Sequence, residues 1–299
     1  MNRVKDEIVM HFRIGAVHAS VSTPIRALRR QYLALYRDFQ VQRPADDSIR
    51  IEVKRGEFSL GHRRRYAISV NSRPRFEPTR FDEVLPYIEW TINWELAHVM
   101  RQYLQLHASS MEIDGRGVIF PGVSGSGKST LTVGMITRGW RYLCDELALI
   151  HAKTLQIHPF PRAICIKTPA FPVVESLGIR TRGARHYHKG FKGDVTFFNP
   201  LSIRPNSVGR VCPIRYVIFP TYTRGAAPAL TPISRAQAVF DLHRVCFNLL
   251  GCRTLGVNVL AAMIRGADCY QLVSGEISET CDLLGRLVKQ EGMRSALSA

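Results

Sequence analysis

Apolar positions along this chain change period several times, and each change marks an element. In "STPIRALRRQYLALYRDF" (22–39) they recur at helical spacing after a Ser-Thr-Pro start, which predicts a helix. "SIRIEV" (48–53) and "RRYAISV" (64–70) alternate apolar and polar residues as two strands do. A Pro-rich joint, "NSRPRFEPTRFDEVLP", then leads into "YIEWTINWELAHVMRQYLQL" (87–106), which reads as a helix of roughly five turns. "MEID" and "GVIF" flank an Asp-Gly turn and predict a β-hairpin, whose second strand feeds a glycine-rich loop.

Beyond that loop, "KSTLTVGMITRGW" predicts a short helix stopped at Gly139, and "RYLCDELALI" (141–150) the next strand. Further strands are expected at "RAICIK", "IRYVIFPTY" and "CYQLVSG", and further helices at "SRAQAVFDLHRVCFNLLG" and "EISETCDLLGRLVKQ". No internal repeat is found. The pattern predicts an α/β fold with a small N-terminal α+β region (1–82) and a larger domain (83–299).

Composition bounds the class. At 299 residues and 45% apolar the chain can bury a sizeable core, so it reads as globular. Charged residues, Pro or Gly interrupt every apolar run before the roughly 18 residues of a membrane span. The first residues, "MNRVKDEIVMHF", carry acidic side chains and no apolar signal core, so a cytoplasmic location is expected. Seven cysteines form no CxxC pair and lie mostly in apolar stretches, which suits buried thiols better than a disulfide framework or a zinc site.

The net charge of +17 comes partly from "RALRR", "GHRRRY" and "RTRGARHYHKGFKG". Such a surplus either forms a solvated basic surface or meets an acidic partner. The Arg-rich segments lack the regular aromatic interleaving of a stacking platform, which argues against nucleic acid as the main ligand.

The strongest chemical signal is "GVSGSGKST", in which Gly122 to Ser129 fits G-x-x-x-x-G-K-[ST]. Glycines at 122, 125 and 127 let backbone N–H groups turn inward toward phosphate oxygens. The candidate nucleotide-binding residues are Gly122, Val123, Ser124, Gly125, Ser126, Gly127, Lys128, Ser129 and Thr130. Lys128 would reach the β- and γ-phosphates of ATP, and the Ser129 hydroxyl would hold Mg²⁺. Asp145 and Glu146 follow Lys128 by 17 and 18 positions, near enough to place a carboxylate by the metal and the acceptor hydroxyl. On a continuous strand the pair would face opposite sides unless a bulge or strand end intervenes. Transporter-type ATPases separate loop and acidic pair by a far longer insert and need an "LSGGQ"-like segment, and neither is present.

The segment "LHASSMEIDGRGVIFPGVSGSGKSTLTVGMITRGWRYLCDELALI" resembles the HPr kinase/phosphorylase superfamily, more closely its HPr kinase-related branch. His107, the hairpin, the phosphate loop, "TRG" and Asp145–Glu146 stand in that family's order. The resemblance implies a P-loop kinase domain that passes the γ-phosphate of ATP to a serine-type hydroxyl. Lys128, His107, Asp145 and Glu146 would be catalytic, with Ser129 and Asp145 on the metal side and Glu146 at the family's base position. The family's pair is usually Asp-Asp, so Glu146 is a departure, one methylene longer.

The later Glu-x-Arg-Gly-x-Gly signature of the bifunctional enzymes is reduced to "VVESLGI", where Glu175 has no following arginine. Reverse phosphorylase activity and recognition of HPr are therefore not implied. The acceptor is left as an acidic protein, a peptide or a small hydroxyl compound, with Arg162, Arg180, Arg182 and Arg185 as candidates to hold it. Oligomeric state is open, a homo-oligomer included. The rival reading is a nucleotide-controlled binding module without phosphotransfer, and a nucleic-acid binder driven by ATP rests on charge alone.

Overall fold

A computed structural model describes residues 8–56, 65–249 and 254–297. The basic run at 61–64, Cys252 and the expected helix end at 250–251 lie outside the described residues. The N-terminal stretch runs β1 (Ile8–Ile14), β2 (Val17–Thr23), α1 (Arg26–Tyr36), β3 (Gln40–Val41), β4 (Ile49–Arg55), β5 (Tyr66–Val70), β6 (Arg73–Phe76) and α2 (Phe81–Val99). Next come β7 (Tyr103–Leu106), β8 (Ala108–Ile113), β9 (Arg116–Pro121), α3 (Lys128–Thr137), β10 (Arg141–Cys144), β11 (Ala148–His151) and β12 (Gln156–His158). They are followed by β13 (Ile164–Lys167), α4 (Phe171–Ser176), β14 (Tyr187–His188), β15 (Asp194–Phe198) and α5 (Pro200–Ile203). The chain closes with β16 (Cys212–Tyr222), β17 (Ala229–Pro232), α6 (Arg235–His243), α7 (Thr254–Arg265), β18 (Asp268–Ser274) and α8 (Ile277–Leu297).

This mixed α/β chain divides into two compact units, and the division is not a single cut. The first unit takes Met1–Arg101, Phe160–Pro169 and Arg182–Asn199, and the second takes the remainder. The boundary expected at 82/83 falls inside α2, which belongs wholly to the first unit.

In the first unit a six-stranded sheet has the order β3-β1-β2-β4-β5-β6. β1 alternates inward Met10, Phe12 and Ile14 with exposed or half-exposed neighbours, so one face packs a core. Across β1, Phe12 meets Tyr32 of α1 edge-on at 5.0 Å between ring centroids. Helix α2 starts earlier than its apolar period suggests. Glu83 accepts from the backbone N–H groups of Thr79 and Arg80, at 3.1 Å each, and closes a capping box over its first turn.

The same helix also ends earlier than expected, because Tyr103–Leu106 form β7 instead of a last turn. All four residues of β7 are buried. A strand buried on both faces reads as a continuous apolar run, which period alone does not separate from a helix.

A buried ion pair joins the later segments to α2 within this unit. Arg162 donates from Nη2 to Glu89 Oε2 at 2.6 Å and to the Glu89 carbonyl at 2.8 Å, and also hydrogen-bonds Asn93. The Tyr36 hydroxyl donates to the same carboxylate at 2.8 Å and accepts from the Ala163 N–H at 3.1 Å. Burial, reinforced by the Glu89 charge, pushes the Tyr36 phenol well above its usual range, so it remains a donor. Arg162 is thus a structural residue, not the substrate arginine expected from sequence. Its guanidinium is committed inside the first unit.

Breaking this pair should cost more than the pair contributes, because the survivor is left charged in a low-dielectric interior. Arg162→Met is expected to destabilise by about 3–5 kcal/mol in chemical denaturation. The double variant Arg162→Met/Glu89→Gln should recover part of that loss. If Arg162→Met leaves the midpoint unchanged, water reaches the pair and it does not hold the segments together.

Candidate functional site

The second unit carries a nine-stranded sheet whose path runs β10-β8-β9-β16-β12-β11-β7, with β18 beside β16 and β17 beside β18. β8 and β9 form the expected hairpin, in register from Ala108↔Pro121 to Ile113↔Arg116. Its turn is Asp114-Gly115, with φ of 50° and 74°, the positive pair that suits the strand twist. Val118, Ile119 and Phe120 of β9 are fully buried, and the chain emerges from them directly into Gly122.

Strand direction decides what gathers around that loop. β8 is antiparallel to both β9 and β10, so β9 and β10 point the same way. β16 is parallel to β9 and to β18. The carboxyl ends of β9, β10, β16 and β18 therefore share one edge of the sheet, where open α/β sheets place their ligands. The amino end of β8 lies at the same edge and carries His107 immediately before it.

At this edge the loop closes on itself. Gly127 adopts φ 88° as the residue before α3, a conformation that strains any other side chain. A Cβ on Gly122 would stand 2.9 Å from Ser126 Oγ, so that hydroxyl would have to turn away to admit one. Lys128 is 7% exposed, and its ammonium donates to the carbonyls of Gly122 at 2.6 Å and Val123 at 2.8 Å. Val123, Ser124 and Gly125 are exposed, while Thr130 is half-buried in the first turn of α3.

The Ser129 hydroxyl donates to Asp145 Oδ2 at 2.9 Å. The loop serine and the acidic pair, expected to meet, do meet. They do so differently from the expectation of one strand over 141–150. That stretch breaks into β10, which pairs with β8, and β11, which pairs with β7 and β12. Asp145 and Glu146 occupy the break, so strand alternation does not apply to them. Asp145 is buried and Glu146 half-buried. The end of β10 is pinned by Cys144, whose thiol donates to the Ala108 carbonyl at 3.4 Å.

His107 also reaches the loop, by its backbone: its carbonyl accepts from the Gly122 N–H at 3.2 Å. Its ring lies 5.6 Å from that of Phe247.

Several supporting residues had no sequence signal. Arg204 caps the far end of α3, donating to the carbonyls of Ile136, Gly139 and Trp140 at 2.9–3.0 Å. Tyr222 and Ser274, at the ends of β16 and β18, back the loop: a Cβ on Gly127 would lie 3.5 Å from Tyr222 Cβ and 3.9 Å from Ser274 Oγ. Of the expected substrate arginines, Arg180, Arg182 and Arg185 are exposed, and Arg185 lies over the Phe81 ring at 5.6 Å. Glu175 accepts from the Thr181 hydroxyl.

The oxygen pair of Ser129 and Asp145 is a hard donor set, and Mg²⁺ characteristically takes only one or two protein ligands beside phosphate oxygens and water. Among the described residues no group of three or more His, Cys, Asp or Glu could hold a metal, and no helix is long and apolar enough to cross a membrane.

Among solved structures, the chain is similar to the HPr(Ser) kinase/phosphatase from Coxiella burnetii, with 13% identity and a TM-score of 0.33. The match covers 64% of this chain and 98% of that one, a distant structural resemblance. No protein-family model matches the chain, and no curated protein does.

Helix α3 carries both Lys128 and Ser129, and its seat against α8 is tight. A Cβ on Gly134 would meet Cys281 Sγ at 2.7 Å and Ile277 Cγ1 at 3.3 Å. Burial pushes the Cys281 thiol up to about 12, so it stays an uncharged packing group. Gly134→Ala should gain about 1 kcal/mol of helix propensity and lose about 1–3 kcal/mol to overpacking, a net destabilisation. Adding Cys281→Ala should relieve the clash, so the double variant melts higher than Gly134→Ala alone. Equal melting temperatures would show that α8 yields without cost.

Proposed function

We propose that this chain is an ATP-dependent kinase, transferring the γ-phosphate to a serine-type hydroxyl of a protein, peptide or small molecule. The observation that carries this reading is the 2.9 Å contact between Ser129 and Asp145. It links the helix that follows a phosphate-type loop to the acidic pair, the juxtaposition that phosphoryl transfer requires. When bound, Mg²⁺ would be held by Ser129 and Asp145 together with phosphate oxygens, and would offset phosphate charge.

The chain's own groups supply positioning and electrostatics. Backbone amides of the loop and the amino end of α3 would favour an anion. Lys128, already drawn to the loop by the Gly122 and Val123 carbonyls, stands where it can turn to the β- and γ-phosphates. The acceptor hydroxyl attacks the γ-phosphorus as the bond to the bridging oxygen breaks. ADP leaves with that electron pair, and a carboxylate of the acidic pair takes the hydroxyl proton. Asp145 accepts from Ser129 on the metal side, and Glu146, at the base position of the resembled family, is assigned as the base. His107 immediately precedes β8, the strand that separates β9 from β10.

Lys128→Ala, in a variant that melts like the parent, should lose nearly all turnover. Glu146→Gln should lose at least about 100-fold in transfer with little change in ATP affinity, as expected for a general base. Asp145→Asn should instead raise the Mg²⁺ concentration needed for half-maximal rate. Slow hydrolysis of Mg-ATP, with water in the acceptor's place, is a sufficient assay. If both carboxylate variants turn over at the parental rate the kinase reading fails, and a chain that binds ATP but never consumes it is a nucleotide-controlled binding module.

A further inference from the structure

The site has two flanks, and the acidic pair and His107 lie on one of them. In the order β10-β8-β9-β16, with β18 on the far side of β16, the loop after β9 has Asp145, Glu146 and His107 on its β8/β10 side. On its β16/β18 side stand Tyr222, Ser274 and the turn that follows Tyr222. A phosphate chain lying in the loop with its reacting end toward the carboxylates would leave the β16/β18 side to its other end.

That second flank is a built surface. Gln271 of β18 donates to the Thr221 hydroxyl of β16 at 3.1 Å, tying the two strand ends together. The Thr223 N–H donates to the Ser274 carbonyl at 2.9 Å, and the Ala226 N–H to the Thr223 carbonyl at 3.2 Å, which closes a turn through Gly225 at φ 74°. The turn lies so close over Gly275 that a Cβ there would be 1.8 Å from the Ala226 carbonyl oxygen. Behind the loop, Tyr222 Cβ comes within 3.5 Å of where a Gly127 Cβ would stand. Tyr222 itself is 52% exposed, next to the exposed Thr221 at the end of the strand.

We infer that the ends of β16 and β18 form the nucleoside side of the site, with Tyr222 as the residue on which the base stacks. The inference rests on the proposed phosphate site and deepens it: it names the part of the ligand beyond the phosphates and the residue that recognises it. Every base offers a π-face, so a single tyrosine confers affinity for a nucleotide over a bare polyphosphate without reading hydrogen bonds.

The test compares Mg-ATP with Mg-tripolyphosphate, which has the phosphates and no nucleoside, by calorimetry on the full chain. Tyr222 is exposed, so its replacement leaves the core intact. Tyr222→Ala should weaken ATP by about tenfold, within the usual range for base–aromatic stacking, and leave tripolyphosphate unchanged. Tyr222→Phe should keep the parental affinity for both. If Tyr222→Ala binds ATP like the parent, or weakens both compounds equally, the stacking assignment is overturned while the phosphate site stands. If the parent binds neither compound, the phosphate-site reading itself is wrong and this inference goes with it.

Discussion

A strand that ends in a glycine loop can serve chemistry only if its neighbours end at the same edge of the sheet. Here that constraint is met by direction: β9, β10, β16 and β18 run the same way, with β8 alone reversed among them. The reversal is useful, because β8 brings its amino end, immediately preceded by His107, to the shared edge. One tight Asp-Gly hairpin sets the alignment of β8 with β9. A one-residue slip in that register would exchange the faces of β8 and move every group it carries. The geometry of the site therefore descends from a turn at the opposite edge of the sheet.

Within the loop, electrostatics are arranged before any ligand need be considered. An ammonium that is 7% exposed must find oxygens, and Lys128 finds the carbonyls of Gly122 and Val123. Those bonds draw the two ends of the loop together over the first turn of α3. At the far end of the helix, Arg204 binds the carbonyls of Ile136, Gly139 and Trp140, where a cation also suits the helix dipole. The helix is thus held at both ends, by a lysine of its own and an arginine from beyond α5. Under the proposed reading, rigid support of this kind would keep the loop amides aimed at an anion.

Much of the site was legible in the sequence because its parts are close along the chain. The loop pattern, the Asp-Gly hairpin, the helix stop at Gly139 and the nearness of Asp145 to Ser129 all lie within 106–150 and follow from local rules. What failed to show depends on long-range packing. The break at Asp145–Leu147 arises because β10 and β11 pair with different strands, and no local signal separates them. β7 looked like the end of α2 because burial on both faces erases the strand period. Arg162 read as a candidate to hold the acceptor, because its partner Glu89 lies on a helix far earlier in the chain. The composite first unit was hidden for the same reason, since segments 160–169 and 182–199 join it only through such contacts.

The break between β10 and β11 also bears on how two consecutive acids can divide their work under the proposed reading. On a regular strand, neighbouring side chains face opposite sides of the sheet, and only one of the pair could address the loop. Asp145 and Glu146 instead follow the last residue of β10, where the backbone is released from the ladder. Asp145 is buried and accepts from Ser129, which fixes it beside the start of α3. Glu146 is less buried and one methylene longer, so it has the greater access and reach. A short, buried acid that holds position and a longer, more accessible one that exchanges a proton are different tasks, and the two side chains differ in the right sense.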